Sequence, residues 1–218
     1  MFEHCCMNQA ATVRTLQERI TQMQPMRLGD DALPTPPELR DLLPGGALRR
    51  GSATIVSGSL QLSLALISAA SASGAWCGAI GLPELGAEAA AELGVALDRF
   101  VLVPDPGPHS ISIAGTLSEV LTVLLLRPSS QVRAPDAERL AARLRDHGAA
   151  LVVLGQWPKA ESTLRVTNSR WGGLGRGHGM LLTHELTVRS DDRRGPKQHT
   201  VVFRDGRLSG ALPRVGAS

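Results

Sequence analysis

A chain of 218 residues with 43% hydrophobic and 20% charged content is long enough to close one sizeable core and too apolar for general disorder. Three Phe, three Trp and no Tyr leave little for base-stacking platforms of the OB or RRM kind. Net charge is only +3, but residues 163–218 carry ten Arg/Lys against four Asp/Glu, a local +6 that leaves −3 on the remainder.

A basic C-terminal third suits a polyanion or an acidic protein surface. No run of about eighteen uninterrupted apolar residues is present, so no membrane span is expected. The N-terminus lacks the ordered charged, apolar and cleavage regions of a signal peptide. Three cysteines, with Cys5 beside Cys6 and Cys77 in an apolar run, make no disulfide framework, and a cytoplasmic location follows most simply. His4, Cys5 and Cys6 lack a second ligand cluster, so no metal site is expected there.

In chain order, Val13, Leu16, Ile20 and Met23 recur at helical steps and predict a short amphipathic helix. A Pro-rich linker spans residues 25–37. Thr35 with Glu38 three residues on has the spacing of a capping box, so a small helix is expected until Pro44, Gly45 and Gly46 stop it. A regular alternation follows. Strand-like runs at Ser52–Ser57, Ala75–Ile80, Phe100–Val103, Val123–Leu126 and Ala149–Leu154 alternate with helical stretches at Leu60–Ala72, Gly86–Leu93, Ile111–Leu121 and Pro135–His147. Continuous apolar strands between helices predict an α/β fold with a mainly parallel sheet covered on both faces.

After Gln156 the pattern changes. Arg165–Leu174 and Met180–Arg189 read as antiparallel strands around a Gly-rich loop. Leu182, His184, Leu186 and Val188 alternate with Thr183, Glu185, Thr187 and Arg189. His199–Arg204 with Asp205-Gly206 predicts a last hairpin.

A strand, a glycine and then a helix is where nucleotide-binding proteins place a phosphate loop, with Lys for charge and Ser/Thr for Mg²⁺. Laying G-x-x-x-x-G-K-[ST] from Gly58, with Ser59 next in the loop, puts Ser63 at the second Gly, Leu64 at the Lys and Ala65 at the Ser/Thr. Leucine brings no charge and alanine no metal ligand, so the electrostatics of phosphoryl transfer are missing. Where a metal-binding Asp would end the Val123–Leu126 strand stands Arg127. No cofactor and no catalytic residue are expected. Residual nucleotide contact through backbone N–H groups at Gly58 and Ser59 ranks below a purely structural role.

From about Leu43 to Leu208 the chain resembles the recombinase core of RecA, and more closely its degenerate relatives, the ImuA proteins. The resemblance rests on LPGGALRRGSATIV over Leu43–Val56, ELGVALD over Glu92–Asp98, Gly155-Gln156 at the end of the fifth strand, and LLTHELTVRSDDRR over Leu181–Arg194. LPELG (Leu82–Gly86) with VPDPG (Val103–Gly107) favours ImuA. Glu84 lies near the place of the RecA water-activating glutamate, with a structural role expected in the absence of a working loop.

The resemblance implies a RecA-like core over residues 42–208, preceded by the N-terminal helix and linker (1–41) and followed by a tail (209–218). It further implies a non-catalytic accessory factor in SOS-induced translesion synthesis, associated with the nucleoid during damage. Its partners would be an ImuB-type inactive Y-family polymerase homologue and, through it, an alternative replicative-type polymerase, with RecA and single-stranded DNA as further candidates. The competing expectations are a divergent RecA-like ATPase and a SulA-like inhibitor of cell division.

Arg165, Arg170, Trp171 and Arg176, with Lys159 and the glycines at 172, 173, 175 and 177, make the loop region basic and pliable. Arginine can neutralise phosphates, and both Arg and Trp can stack on bases. Contact with single-stranded DNA or an acidic partner is expected here, against the plainer role of a solvated hairpin. Trp76 and Trp157 read as packing residues. His109, His147, His178, His184 and His199 show no ligand spacing and read as ordinary.

Overall fold

The computed structural model describes residues 31–173 and 181–210. The helix expected around Val13–Met23, the His4-Cys5-Cys6 cluster, Arg176 with its neighbouring glycines, and the tail from 211 onward lie outside the described residues.

Among the described residues, nine strands form one sheet. In chain order they are β1 (Ala53–Ser57), β2 (Cys77–Ile80), β3 (Phe100–Val103), β4 (Val123–Leu126), β5 (Ala150–Leu154), β6 (Ser162–Gly172), β7 (Thr183–Asp192), β8 (Gly195–Arg204) and β9 (Arg207–Ser209). Their spatial order is β3-β2-β4-β5-β1-β6-β7-β8-β9. Every pairing from β3 through β6 is parallel, and every pairing from β6 through β9 is antiparallel. The fold is therefore α/β with a mixed sheet.

Side-chain alternation divides the core in two. On β4, Val123 and Leu125 enter one apolar cluster while Leu124 and Leu126 enter the other. On β5, Val152 faces the first cluster, and Leu151 and Val153 the second. Helix α1 (Leu60–Ala72) and helix α2 (Ala87–Glu92) contribute to the first cluster. Helix α3 (Ser110–Leu117) and helix α4 (Ala134–His147) contribute to the second. Both faces of the parallel half are thus covered, which explains why its strands are apolar without interruption.

The helices follow from their residues. Ala137, Leu140 and Leu144 give α4 one buried stripe, and Gly148, at φ 64°, closes it in the left-handed conformation. By contrast α1 is buried continuously from Leu62 to Ile67. A helix apolar on every side belongs inside a core.

The segment before β1 behaves differently from a linker. Residues Pro37–Leu42 make a 3₁₀ turn against β7 and β8, and Leu33, Leu39 and Leu42 are buried in the first cluster. Each such leucine contributes about 1.5–3 kcal/mol by leaving water. Thr35 caps no helix. Its hydroxyl donates to the Leu33 carbonyl and accepts from the Leu48 N–H, pinning the segment instead. The capping-box spacing is overridden because Pro36 and Pro37, the two residues after Thr35, bring no amide donors to the first turn. Asp205-Gly206 forms the expected tight hairpin between β8 and β9, both residues at positive φ.

Burial pushes the Cys77 thiol up to about 11 and leaves it an inert core group. No described helix is long and apolar enough to cross a membrane.

Gly81, just past β2, sits at φ 76°, and a methyl group there would collide with the Arg127 carbonyl oxygen. Its N–H donates to Val103 O at 2.9 Å, tying β2 to β3 at that end. Gly81→Ala is expected to cost about 2–4 kcal/mol from backbone strain and displacement. Urea denaturation should read the loss as a lower midpoint with unchanged slope.

Candidate functional site

The parallel strands β1, β4 and β5 end together at a small cavity of about 360 Å³, lined by Val56, Ser57, Gly58, Ser59, Leu60, Arg127, Leu154 and Gly155. Only Gly58 and Ser59 separate β1 from α1. Gly58 makes the turn at φ 92°, and an added Cβ would press on Val166 of β6 at 3.2 Å. Ser59 caps the helix at once, its side chain accepting from the Leu62 N–H at 3.1 Å.

This turn does not hold the eight-residue spacing laid from Gly58. A phosphate loop needs its lysine in the first helical turn, where the amide donors converge. That turn is Leu60, Gln61 and Leu62, whereas Ser63, Leu64 and Ala65 lie further along α1 and are buried. The Ser63 hydroxyl is spent on the Ser59 carbonyl at 3.0 Å. The residue nearest to a lysine's place is therefore Gln61, neutral and turned elsewhere.

Arg127, at the end of β4, is paired with the Glu84 carboxylate. A hydrogen bond from its own backbone, followed by the Arg127 guanidinium, holds the Glu84 carboxyl below its usual range. Arg127, which stands where a metal-binding Asp would, and Glu84, for which a structural role is expected, thus neutralise each other at the end of β4. Among the described residues no group of three His, Cys, Asp or Glu side chains could hold a metal ion. Gly155 lines the cavity at φ 140°, and Gln156 beside it is exposed. Trp157 is buried in the second cluster, while Trp76 is half exposed.

Next to this turn, β6 and β7 extend beyond the end of β1 as a two-stranded ribbon. The last β1 pairing is Ser57 with Arg165, so β6 has a free edge from residue 166 onward. A bulge between Val166 and Asn168 then shifts the register. Arg165 lies opposite Arg189, Arg170 opposite Glu185, and Trp171 opposite His184. Cross-strand partners share a face. Arg165 and Arg170 therefore stand on the solvent face, and Trp171 on the other, the face that turns to α1. The expected contact residues are split between two sides of one ribbon.

Three residues that no sequence motif marks join the ribbon to the turn. The His184 Nδ1 lies 2.7 Å from Gln61 Oε1, and its Nε2 lies 2.8 Å from Ser169 Oγ. With the Gln61 oxygen accepting, Nδ1 carries the proton and Nε2 accepts from the Ser169 hydroxyl. The Trp171 ring stacks on the imidazole, with centroids 3.8 Å apart and planes 7° from parallel. His184 is 9% exposed and Trp171 is 54% exposed. The only trace of this in the sequence is the alternation that sets His184 among Leu186 and Val188 on the buried face.

Burial lowers the His184 pKa from its ordinary value. Folding thus favours neutral imidazole, so His184 contributes stability above pH about 6.5 that is lost as pH falls through the depressed folded value. Between pH 7 and 5 the unfolding free energy of the natural chain should fall, and His184→Asn should show a flatter profile over the same window. Identical slopes in chemical denaturation would mean that the imidazole titrates as freely folded as unfolded.

The model of the MT3502 N-terminal domain family matches residues 41–159. A relative, the uncharacterized protein Rv3395c of Mycobacterium tuberculosis, is 30% identical over 128 residues, which cover 57% of this chain and 63% of the relative. The chain therefore spans less than two thirds of that relative's length. The family match contains the Gly58 turn, Glu84, Arg127 and Gly155, and it ends before the ribbon.

Proposed function

The chain belongs to the MT3502 N-terminal domain family, and from that premise we propose that it is a non-catalytic adaptor in DNA-damage-induced translesion synthesis. In this reading the α/β core is a RecA-like domain of the ImuA type, whose strand-to-helix turn has kept its position and lost its chemistry. The observation that carries it is the Gly58-Ser59 turn. Two residues cannot wrap a triphosphate, and Leu60, Gln61 and Leu62 offer neither cation nor metal-binding hydroxyl. The Arg127–Glu84 pair supports the same reading, since a cation stands at the end of β4 where a metal-binding carboxylate is needed.

Such a protein works by holding others together. Its proposed partners are an ImuB-type inactive relative of Y-family polymerases and, through it, an alternative replicative-type polymerase, with RecA and single-stranded DNA as further contacts. The ribbon supplies a surface for a strand. Arg165 and Arg170 on one face would take phosphates, and Trp171 on the other would take a base, so the strand would pass around the free edge of β6. Because the imidazole of His184 backs the indole, the Trp171 ring is held ready for stacking.

Tagged chain recovered from damaged cells should bring the inactive polymerase relative with it, whereas recovery of FtsZ alone would favour the cell-division reading. For the ribbon, Arg165→Ala with Arg170→Ala should weaken binding of a fluorescent single-stranded oligonucleotide. Loss of two phosphate contacts should also flatten the slope of log affinity against log salt by about 1.4. An unchanged slope in anisotropy titrations would remove these arginines from any DNA contact.

A further inference from the structure

A second concavity lies away from both features. A groove of about 680 Å³ runs between α3 and α4, on the sheet face opposite α1. Its size falls within the range of small-molecule sites. Ile111, Val132 and Leu140 give it apolar surface, and Arg133, Arg139 and Arg143 give it cationic surface, with His109 beside them. Asp136 is the only carboxylate among the described lining residues.

Residues 1–162 sum to a net −3 in sequence, yet three arginines line this groove together with a histidine. Asp136 organises two of them, accepting from Arg133 Nε at 3.0 Å and from Arg139 Nη2. Those hydrogen bonds, Arg139's first, hold the Asp136 carboxyl below its usual range, so it stays charged at neutral pH. One carboxylate cannot offset three guanidinium groups, and Arg133 and Arg139 retain unused N–H donors. Arg143 crosses α3 at Gly115, where an added Cβ would come within 3.1 Å of its Nη1. The missing side chain at Gly115 is what lets that guanidinium lie over the helix. Ser110, Ser112 and Ser130 add hydroxyl donors to the lining.

We infer that the α3–α4 groove binds a polyphosphorylated small molecule. Fork-shaped guanidinium donors match phosphate oxygens two at a time, and three of them around one concavity suit a ligand of more than one negative charge. The apolar lining suits a ligand with a non-polar body attached to those phosphates. A groove of this volume fits a compact molecule better than a long chain. This inference stands independently of the adaptor role, because no residue of the Gly58 turn or the ribbon takes part.

Titration calorimetry of the full chain with inorganic tripolyphosphate tests it, with an acidic Glu-rich peptide and a single-stranded oligonucleotide as competitors. The expected result is saturable binding that Arg143→Gln weakens by about tenfold, as loss of a charge-assisted contact should, and that Arg165→Ala with Arg170→Ala leaves unchanged. Arg139→Gln, whose side chain is largely exposed and remote from the core, serves as a second variant and should weaken binding in the same direction. Absence of binding by the folded natural chain would overturn the inference. So would affinity unaffected by both groove variants, or a groove occupied by the peptide or oligonucleotide with no competition from tripolyphosphate.

Discussion

Helix α1 begins two residues after β1 ends, and much else in the molecule is fixed by that contraction. Ser59 closes the helix start by accepting from the Leu62 N–H, and Gly58 turns in a left-handed conformation against Val166. Because the helix starts so early, its first turn lies beside the ribbon of β6 and β7. Gln61 can then reach the buried imidazole of His184. A longer loop would place a different residue there and leave the imidazole N–H without a partner, at a cost of about 1–3 kcal/mol.

The same turn sets the balance between chemistry and support. In a nucleotide-hydrolysing site the strand ends converge on phosphates, with donors and a metal waiting for charge. Here the side chains at those ends satisfy one another: Ser63 bonds the Ser59 carbonyl, Arg127 pairs with Glu84, and Gln61 holds His184. These contacts tie strand, helix and ribbon together. The family match covers the turn and the α3–α4 groove but stops short of the ribbon. The ribbon's Ser169, Trp171 and His184 therefore belong to the part of the chain outside the matched family segment.

Strand and helix order was legible because it rests on local pattern. Unbroken apolar runs such as Val123–Leu126 and Ala150–Leu154 mark strands buried on both faces, and Gly148 and Asp205-Gly206 mark ends by backbone conformation. What failed was motif spacing. The count from Gly58 assumed a loop of ordinary length, and an early cap by Ser59 is invisible to such a count. Thr35 misled for a related reason, since its partner is Leu48, thirteen residues away. The Gln61–His184–Ser169 chain spans up to 123 residues in sequence, and only sheet topology brings it together. The bulge near Thr167 likewise decides which face of the ribbon each basic residue takes.

Release of inorganic phosphate from ATP in the presence of Mg²⁺ is the most direct test of the central claim. The purified full chain is expected to release none above the uncatalysed background, whatever anions it binds elsewhere. Sustained release, abolished by Gly58→Val or Ser59→Ala in a chain that remains folded, would show that the contracted turn is a working catalytic loop and contradict the adaptor reading.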